Sequence, residues 1–232
     1  MKNKLITIIL LTLLSSCARI SLTTLEQRNL KGKVKSVDFK VFEAIEKKGN
    51  YIKGKQHNIP FSGHNLTYFN RKGYKSEYNN FDDSHKKFTF THRGLVKKEI
   101  EYYSNGDVQN KSFFKYKRRR DSIEVIRNDS IGGKRTYYIK YDKTKNLIKD
   151  GTGLHQYDDN GNKLKQINKH FTINWKYDEN GNMIKKNYKG SYTTVKSDFL
   201  YTKFDEMGNW IEQIEFRDGK AKFISERTIE YY

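Results

Sequence analysis

One cysteine, one proline and two tryptophans occur among the 232 residues. Cysteine stands only at position 17, so the chain can build no internal disulfide, no Cys-based metal site and no redox pair of its own. Apolar residues make up 35% of the chain and aromatic residues 14%, so Tyr and Phe must supply much of the packing. The one long apolar run, Leu5 to Leu14, is too short to span a bilayer comfortably. Acid is scarce: 27 Asp and Glu face 46 Lys and Arg, a net charge of +19 that includes Lys2 and Lys4. Such a charge draws anionic surfaces or nucleic acid, or it is a lysine-rich solvated exterior.

Lys2 and Lys4, the apolar run and Ser15-Ser16 form a basic start, a short greasy stretch and small residues, which is the pattern of a secretory signal over residues 1–16. Leu14-Ser15-Ser16-Cys17 resembles the bacterial lipobox, whose cysteine is lipidated and becomes the first mature residue. Cys17 is therefore the expected lipidation site, and the membrane, reached through that lipid, is the first expected partner. Export argues against nucleic acid. Residues 17–30 are expected to be anchor and tether, with a short helix within Leu22 to Leu30, and residues 31–232 the folded domain.

That domain repeats. Tyr157-Asp158-Asp159-Asn160-Gly161-Asn162 matches Tyr177-Asp178-Glu179-Asn180-Gly181-Asn182, and Phe204-Asp205-Glu206-Met207-Gly208-Asn209 is a third copy. Weaker copies end at Gly73, Gly94 and, starting from Ile45, Gly49. Tyr141-Asp142-Lys143-Thr144-Lys145-Asn146 keeps the frame without glycine. The alternating Asp and Asn side chains suggest a calcium loop, but an EF-hand needs glycine sixth and glutamate twelfth. Here glycine is fourth, and Lys189 stands twelfth from Asp178. Glycine fourth with Asp, Asn or Thr first fits a type I turn followed by a left-handed residue, the three-residue hairpin with a bulge. Asp158, Asp178 and Asp205 are then turn residues that bond back to the backbone, and Gly161, Gly181 and Gly208 carry the left-handed step. This frame sets the aromatic before the turn opposite the second residue after glycine. The pairs are Tyr177–Met183, Phe204–Trp210, Phe90–Val96, Tyr141–Leu147, Tyr157–Lys163 and Phe69–Lys75. One residue further on, Ile148, Leu164, Ile184 and Ile211 recur, which reads as apolar groups on the opposite face.

Between turns, Thr136 to Tyr141, Thr193 to Phe204 and Thr228 to Tyr232 are rich in strand formers. Gly32 to Phe39 alternates at period two. Asp218-Gly219 marks a tight hairpin, and Gly54 to His64, with Pro60, a loop. The expected fold class is all-β: a meandering antiparallel sheet of repeated hairpins, curled or stacked, single-layer to sandwich-like.

The Tyr-Asp-x-x-Gly copies resemble the YD-repeat type of long β-sheet shells in secreted bacterial proteins, although this chain has Gly-Asn where those carry Gly-Arg. Together with Leu30-Lys31-Gly32-Lys33-Val34-Lys35-Ser36-Val37, they also resemble small lipoproteins of Bacteroidetes-type bacteria. The resemblance implies an envelope address and no established chemistry. Ala18-Arg19-Ile20-Ser21 lacks the acidic residues that follow the cysteine in surface-exported members, which implies an outer-membrane anchor facing the periplasm.

No catalytic, cofactor or metal motif emerges. His57, His64, His85, His92, His155 and His170 are scattered without ligand spacing. There is no nucleophile elbow and no P-loop, and Gly151-Thr152-Gly153 lacks the context of a dinucleotide site. Arg118-Arg119-Arg120-Asp121 can meet phosphate or an anionic glycan, or be a solvated strand end. The expected function is therefore a lipid-anchored binding or scaffolding module, not an enzyme and without a cofactor, whose partner is an envelope protein or an anionic glycan. The alternatives are an envelope hydrolase or glycan-processing enzyme with a site assembled across strands, and an immunity-type or adaptor protein.

Overall fold

The computed structural model describes residues 21–57, 64–80 and 84–232; the signal, Cys17 and Pro60 lie outside the described residues. A short helix, α1 (Thr24–Gln27), precedes seventeen strands. The first eight are β1 (Val34–Lys47), β2 (Asn50–Gln56), β3 (Asn65–Phe69), β4 (Lys75–Asn80), β5 (Ser84–Phe90), β6 (Val96–Tyr102), β7 (Val108–Arg118) and β8 (Ile123–Asp129). There follow β9 (Gly133–Tyr141), β10 (Leu147–Asp150), β11 (Gly153–Tyr157), β12 (Lys163–Ile167) and β13 (Phe171–Tyr177). The last four are β14 (Met183–Gly190), β15 (Thr194–Phe204), β16 (Trp210–Arg217) and β17 (Lys220–Tyr231).

From β3 to β17 each strand lies antiparallel beside the next. β1 then joins the ends. One of its edges pairs with β17, Val37 opposite Ile229. Its other edge pairs first with β3, Val37 opposite Thr67, and further along with β2, Phe42 opposite Gln56. β2 and β3 thus lie end to end in one position, and the single sheet closes into a barrel of sixteen strand positions. Closure pairs the wall on both sides around the ring, while β2, beyond β3, is paired with β1 alone among the described residues. The expected curl is therefore complete, and the sheet packs on no second sheet.

All the repeated turns gather at the end where β1 begins and β17 finishes, called here the mouth. In each copy the glycine amide donates to the carbonyl of the first turn residue, and that residue's amide donates to the carbonyl following glycine. For Gly181 and Asp178 these distances are 3.1 and 2.9 Å. Gly73, Gly94, Gly161, Gly181 and Gly208 have φ between +76° and +84°, and Lys145 holds the same place at +72°. The Asp178 carboxylate accepts from the amides of Asn180 and Asn182 at 3.0 and 2.8 Å. All six aromatic pairs stand opposite one another in the register.

Two expectations change. Lys48-Gly49 is not a copy of this turn: both residues have positive φ, 52° and 78°, and β2 begins at the next residue, so it is a two-residue type I′ bend like Asp218-Gly219. The recurring apolar residues after the turn do not mark a second packed face. Ile148, Leu164, Ile184 and Ile211 each fall at a register shift, where two residues face one across the ladder. They are bulge residues, and a bulge at each repeated hairpin adds the twist that bends the wall round. The bulged Gly106 turn shares the hydrogen-bond frame but carries Tyr103 first, which hid it from the repeat pattern.

Across β13 and β15 the positions that face inward are Phe171, Ile173, Trp175 and Tyr177, and Val195, Ser197, Phe199 and Tyr201. The alternating outer positions include Asn174, Lys176, Thr194, Lys196 and Asp198, all exposed. The outer wall is thus polar, with isolated apolar side chains such as Phe113, Tyr138 and Leu200. Rings and β-branched residues line the inside together with buried polar side chains such as Ser112, Asp129, Ser197 and Gln213.

Candidate ligand site in the barrel mouth

Residues Ser21–Lys31 form a strap across the mouth. Thr23 caps α1 and Glu26 returns the bond in a capping box. Leu25 and Leu30 pack with Val34, Val37 and Phe69 in the one compact apolar cluster, beside Ile229 and Tyr231. The strap then ties itself to turns on both sides of the opening. Ser21 Oγ donates to the Gly94 carbonyl at 3.0 Å, and the Leu25 amide to the Gly73 carbonyl at 3.1 Å. Asn29 Nδ2 donates to the Asn180 carbonyl at 2.8 Å, and the Lys31 amide to Asn209 Oδ1 at 2.7 Å. Only four of the residues expected to be helical form α1: Thr23 is its N-cap, and Asn29, at φ +50°, ends it, with the Asn29 and Leu30 amides donating back to the Glu26 and Leu25 carbonyls. A segment expected to be tether is part of the barrel.

Beneath the strap lies a cavity of about 900 Å³, within the range that small-molecule sites occupy. Its walls carry Arg28, Lys75, Lys145, Lys163 and Arg227, against a single carboxylate, Glu26, which accepts from the Thr23 amide at 2.6 Å. Arg28 is accessible to water, but what it faces is this cavity and a smaller recess beside Val37 and Phe39. Among the described residues, Arg28, Lys75, Lys163 and Arg227 form no ion pair with a carboxylate. Aromatic faces hold Lys75, Lys163 and Arg227 instead. The Arg227 guanidinium lies 3.3 Å from the Trp210 ring centroid. Lys75 Nζ is 4.6 Å from Phe88, and Lys163 Nζ is 5.8 Å from Tyr157 and 6.0 Å from Trp175. Such contacts contribute about 0.5–2 kcal/mol each and leave the charge unneutralised.

The cost of that arrangement appears in the ionisation of the cations. Burial, joined by the positive charge of Arg28, lowers Arg227 to about 9 and Lys75 to about 8; Glu99 opposes the shift at Lys75 only in part. Burial lowers Arg28 and Lys163 as well. Lys75 and Arg227 remain largely protonated at neutral pH, and an anion placed between the cations would relieve both the desolvation and the mutual repulsion.

The tyrosines around the cavity present ring faces, because their hydroxyls are engaged. Tyr157 donates to the Leu147 carbonyl at 3.0 Å, Tyr177 to Lys163 at 3.0 Å and Tyr201 to Met183 at 2.8 Å. Tyr116 does the same to Val96 at 2.6 Å. Each acceptor is the residue at the start of a bulge in a preceding hairpin, so each tyrosine clasps one repeat to another. Burial raises the Tyr157 and Tyr177 hydroxyls to about 12, and Tyr116 and Tyr201 higher still.

Of the residues singled out in the sequence, Asp158, Asp178, Asp205 and their glycines frame the mouth. Gly161 and Gly181 line the cavity, and Asp205 accepts from Tyr231 at 2.5 Å. Arg118, Arg119 and Arg120 lie elsewhere, exposed in an open groove between the β5–β6 turn and the end of β7. There Arg119 pairs with Glu124, and Asp121 with Lys140 at 3.4 Å. The histidines disperse: His64 meets Asp38 and His85 meets Glu77, each at 2.7 Å. No group of three metal-ligating side chains occurs among the described residues. The sequence pattern did not reveal Arg28, Lys75, Lys163 and Arg227. They sit on different elements, and only ring closure brings them to one cavity.

No family model matches the chain, and no curated protein does. Among solved structures it is similar in fold to a porin-like protein from Bacteroides uniformis, with a TM-score of 0.45 and 10% sequence identity over 86% of this chain and 99% of that one.

Proposed function

We propose that this chain is a lipid-anchored binding module of the bacterial cell envelope that holds an anionic ligand in its mouth. The observation that carries the reading is the set Arg28, Lys75, Lys163 and Arg227, gathered in one cavity, the last three of them held by rings in place of carboxylates. Positive charge drawn together in a partly desolvated cavity without a counter-ion is costly, and an anionic ligand would supply the partner. The lipobox-like start supports the envelope address. The YD-repeat likeness supports a scaffold of hairpins whose work is done by its surface. The outer wall supports a barrel that stands in water beside the membrane. Lysines facing acyl chains at the midplane of a bilayer would cost about 2–4 kcal/mol each.

The test is binding of the fluorescent sulfonate 1-anilinonaphthalene-8-sulfonate to the full chain carrying Cys17→Ser, so that no attached lipid competes. Enhanced emission that is lost in the doubly substituted Arg28→Gln, Arg227→Gln chain is the expected result. A double variant with an unchanged circular dichroism spectrum that binds the dye as tightly as its parent would overturn the reading.

A further inference from the structure

The chemistry of the cavity says more than its charge. Its cations lie at the mouth, three of them against rings; Tyr177 and Tyr201 line the cavity, and Trp175 and Phe199 are the next inward-facing residues on β13 and β15. A carbohydrate ligand needs wall donors and acceptors for its many hydroxyls, and a polar ligand deprived of them binds poorly. Here the tyrosine hydroxyls are already donated to backbone carbonyls. The asparagines beside the turns are also engaged: Asn162 and Asn182 donate to Asp158 and Asp178 at 2.9 and 3.0 Å. Gln27, Asn160 and Gln213 remain as polar side chains of the lining, and beside them the wall offers the rings of Tyr157, Tyr177, Tyr201 and Trp210 with Leu147 and Met183, a surface that rewards an apolar group. The strap adds an apolar underside, since Leu22 and Leu30 also face the cavity.

Resting on the anion-binding reading, we infer that the ligand is an anionic amphiphile: a single phosphate or carboxylate head between Arg28, Lys75 and Arg227, and an acyl or alkyl tail along the ring-lined wall. The head replaces the missing carboxylate at the mouth. The tail leaves water for rings whose polar atoms are already satisfied. The barrel shields the tail from water on its polar outer side, and the strap covers the opening.

Displacement of the bound sulfonate dye from the Cys17→Ser full chain separates the parts of this inference. The competitors are inorganic phosphate, dodecyl phosphate, dodecanol and a glucuronic acid oligosaccharide. Dodecyl phosphate is expected to displace the dye at least a hundredfold more tightly than phosphate, because burial of only about four methylenes, at about 0.8 kcal/mol each, already supplies that factor. It is also expected to lose that advantage over dodecanol in the Arg28→Gln, Arg227→Gln chain. Phosphate or the oligosaccharide matching dodecyl phosphate would overturn the amphiphile and leave the anion reading standing. Dodecanol matching dodecyl phosphate on the parent chain would overturn both.

Discussion

At the residue scale, two glycines with nearly the same backbone answer different demands. Gly181 has φ +78° and Gly219 has φ +75°. A Cβ at Gly219 would meet open space, whereas at Gly181 it would lie 2.9 Å from Asn29 Nδ2 and 3.3 Å from Asn162 Oδ1. Both substitutions to alanine force a left-handed alanine, costing about 1–2 kcal/mol. Gly181→Ala must also push the strap off the β13–β14 turn. Thermal or urea unfolding is expected to show Gly181→Ala the more destabilised of the two, and proteolysis within Ser21–Lys31 is expected to quicken only there. Equal unfolding and equal cleavage would mean the strap does not rest on that turn. The left-handed glycines were legible in the sequence because the frame repeats around them. Lys145, at φ +72° in the same frame, was legible only by alignment with its neighbours. The partner of Gly181 was not legible at all, because Asn29 is 152 positions away and belongs to no repeat.

The element that recurs is a hairpin with its turn, its bulge and a tyrosine reaching back to an earlier hairpin. The turn and the aromatic pairs follow from local rules, so sequence spacing was enough to place them. The bulge was not visible, because a residue that slips out of register looks in sequence like a residue on the other face. The non-repeated hairpins are held by other means. In the β7–β8–β9 part of the wall, the Asp129 carboxylate accepts from Ser112 at 2.5 Å, from Arg127 at 2.6 Å and from Arg135 at 2.8 Å. Burial pushes this carboxyl up, and the three hydrogen bonds outweigh it and hold it at about 2. Because the folded state lowers this pKa, the stabilisation is complete above the unfolded value near 3.8 and is lost as pH falls through 2. The side chain is closed off by its partners, but the wall is one layer thick and water lies close on both sides. Screening therefore limits the contribution to about 1–2 kcal/mol. Asp129→Asn is expected to lower the unfolding free energy by that amount at pH 7, with the gap to the parent closing between pH 4 and 2. A gap that persists unchanged at pH 2 in denaturant titrations would show that the loss comes from packing and not from the charge.

At the scale of the whole molecule, the decisive contact is between β1 and β17, where Val37 stands opposite Ile229. No local pattern announces a pairing across nearly the full chain, and for that reason the sequence led only as far as a curled sheet. Closure also decides what each strand's two faces mean. Alternation of Trp175 with Asn174 and Lys176 says that one side of β13 is apolar, but only the ring turns that side into an interior. A barrel that spanned a bilayer would reverse the arrangement, with apolar side chains outward and polar ones within. Here the exposed positions of β14 are Lys185, Asn187 and Lys189, while Tyr188 points in with Phe171 beside it, ring centroids 5.8 Å apart. On the proposed reading membrane attachment comes from outside the barrel, through a lipid on Cys17. Cys17→Ser is expected to move the protein from the membrane fraction to the soluble fraction after cell lysis, and an alkaline carbonate wash is expected to leave nothing behind. Retention of the variant in carbonate-washed membranes would mean that the wall itself enters the bilayer, and the assignment of a polar outside and a ligand-holding inside would have to be reversed.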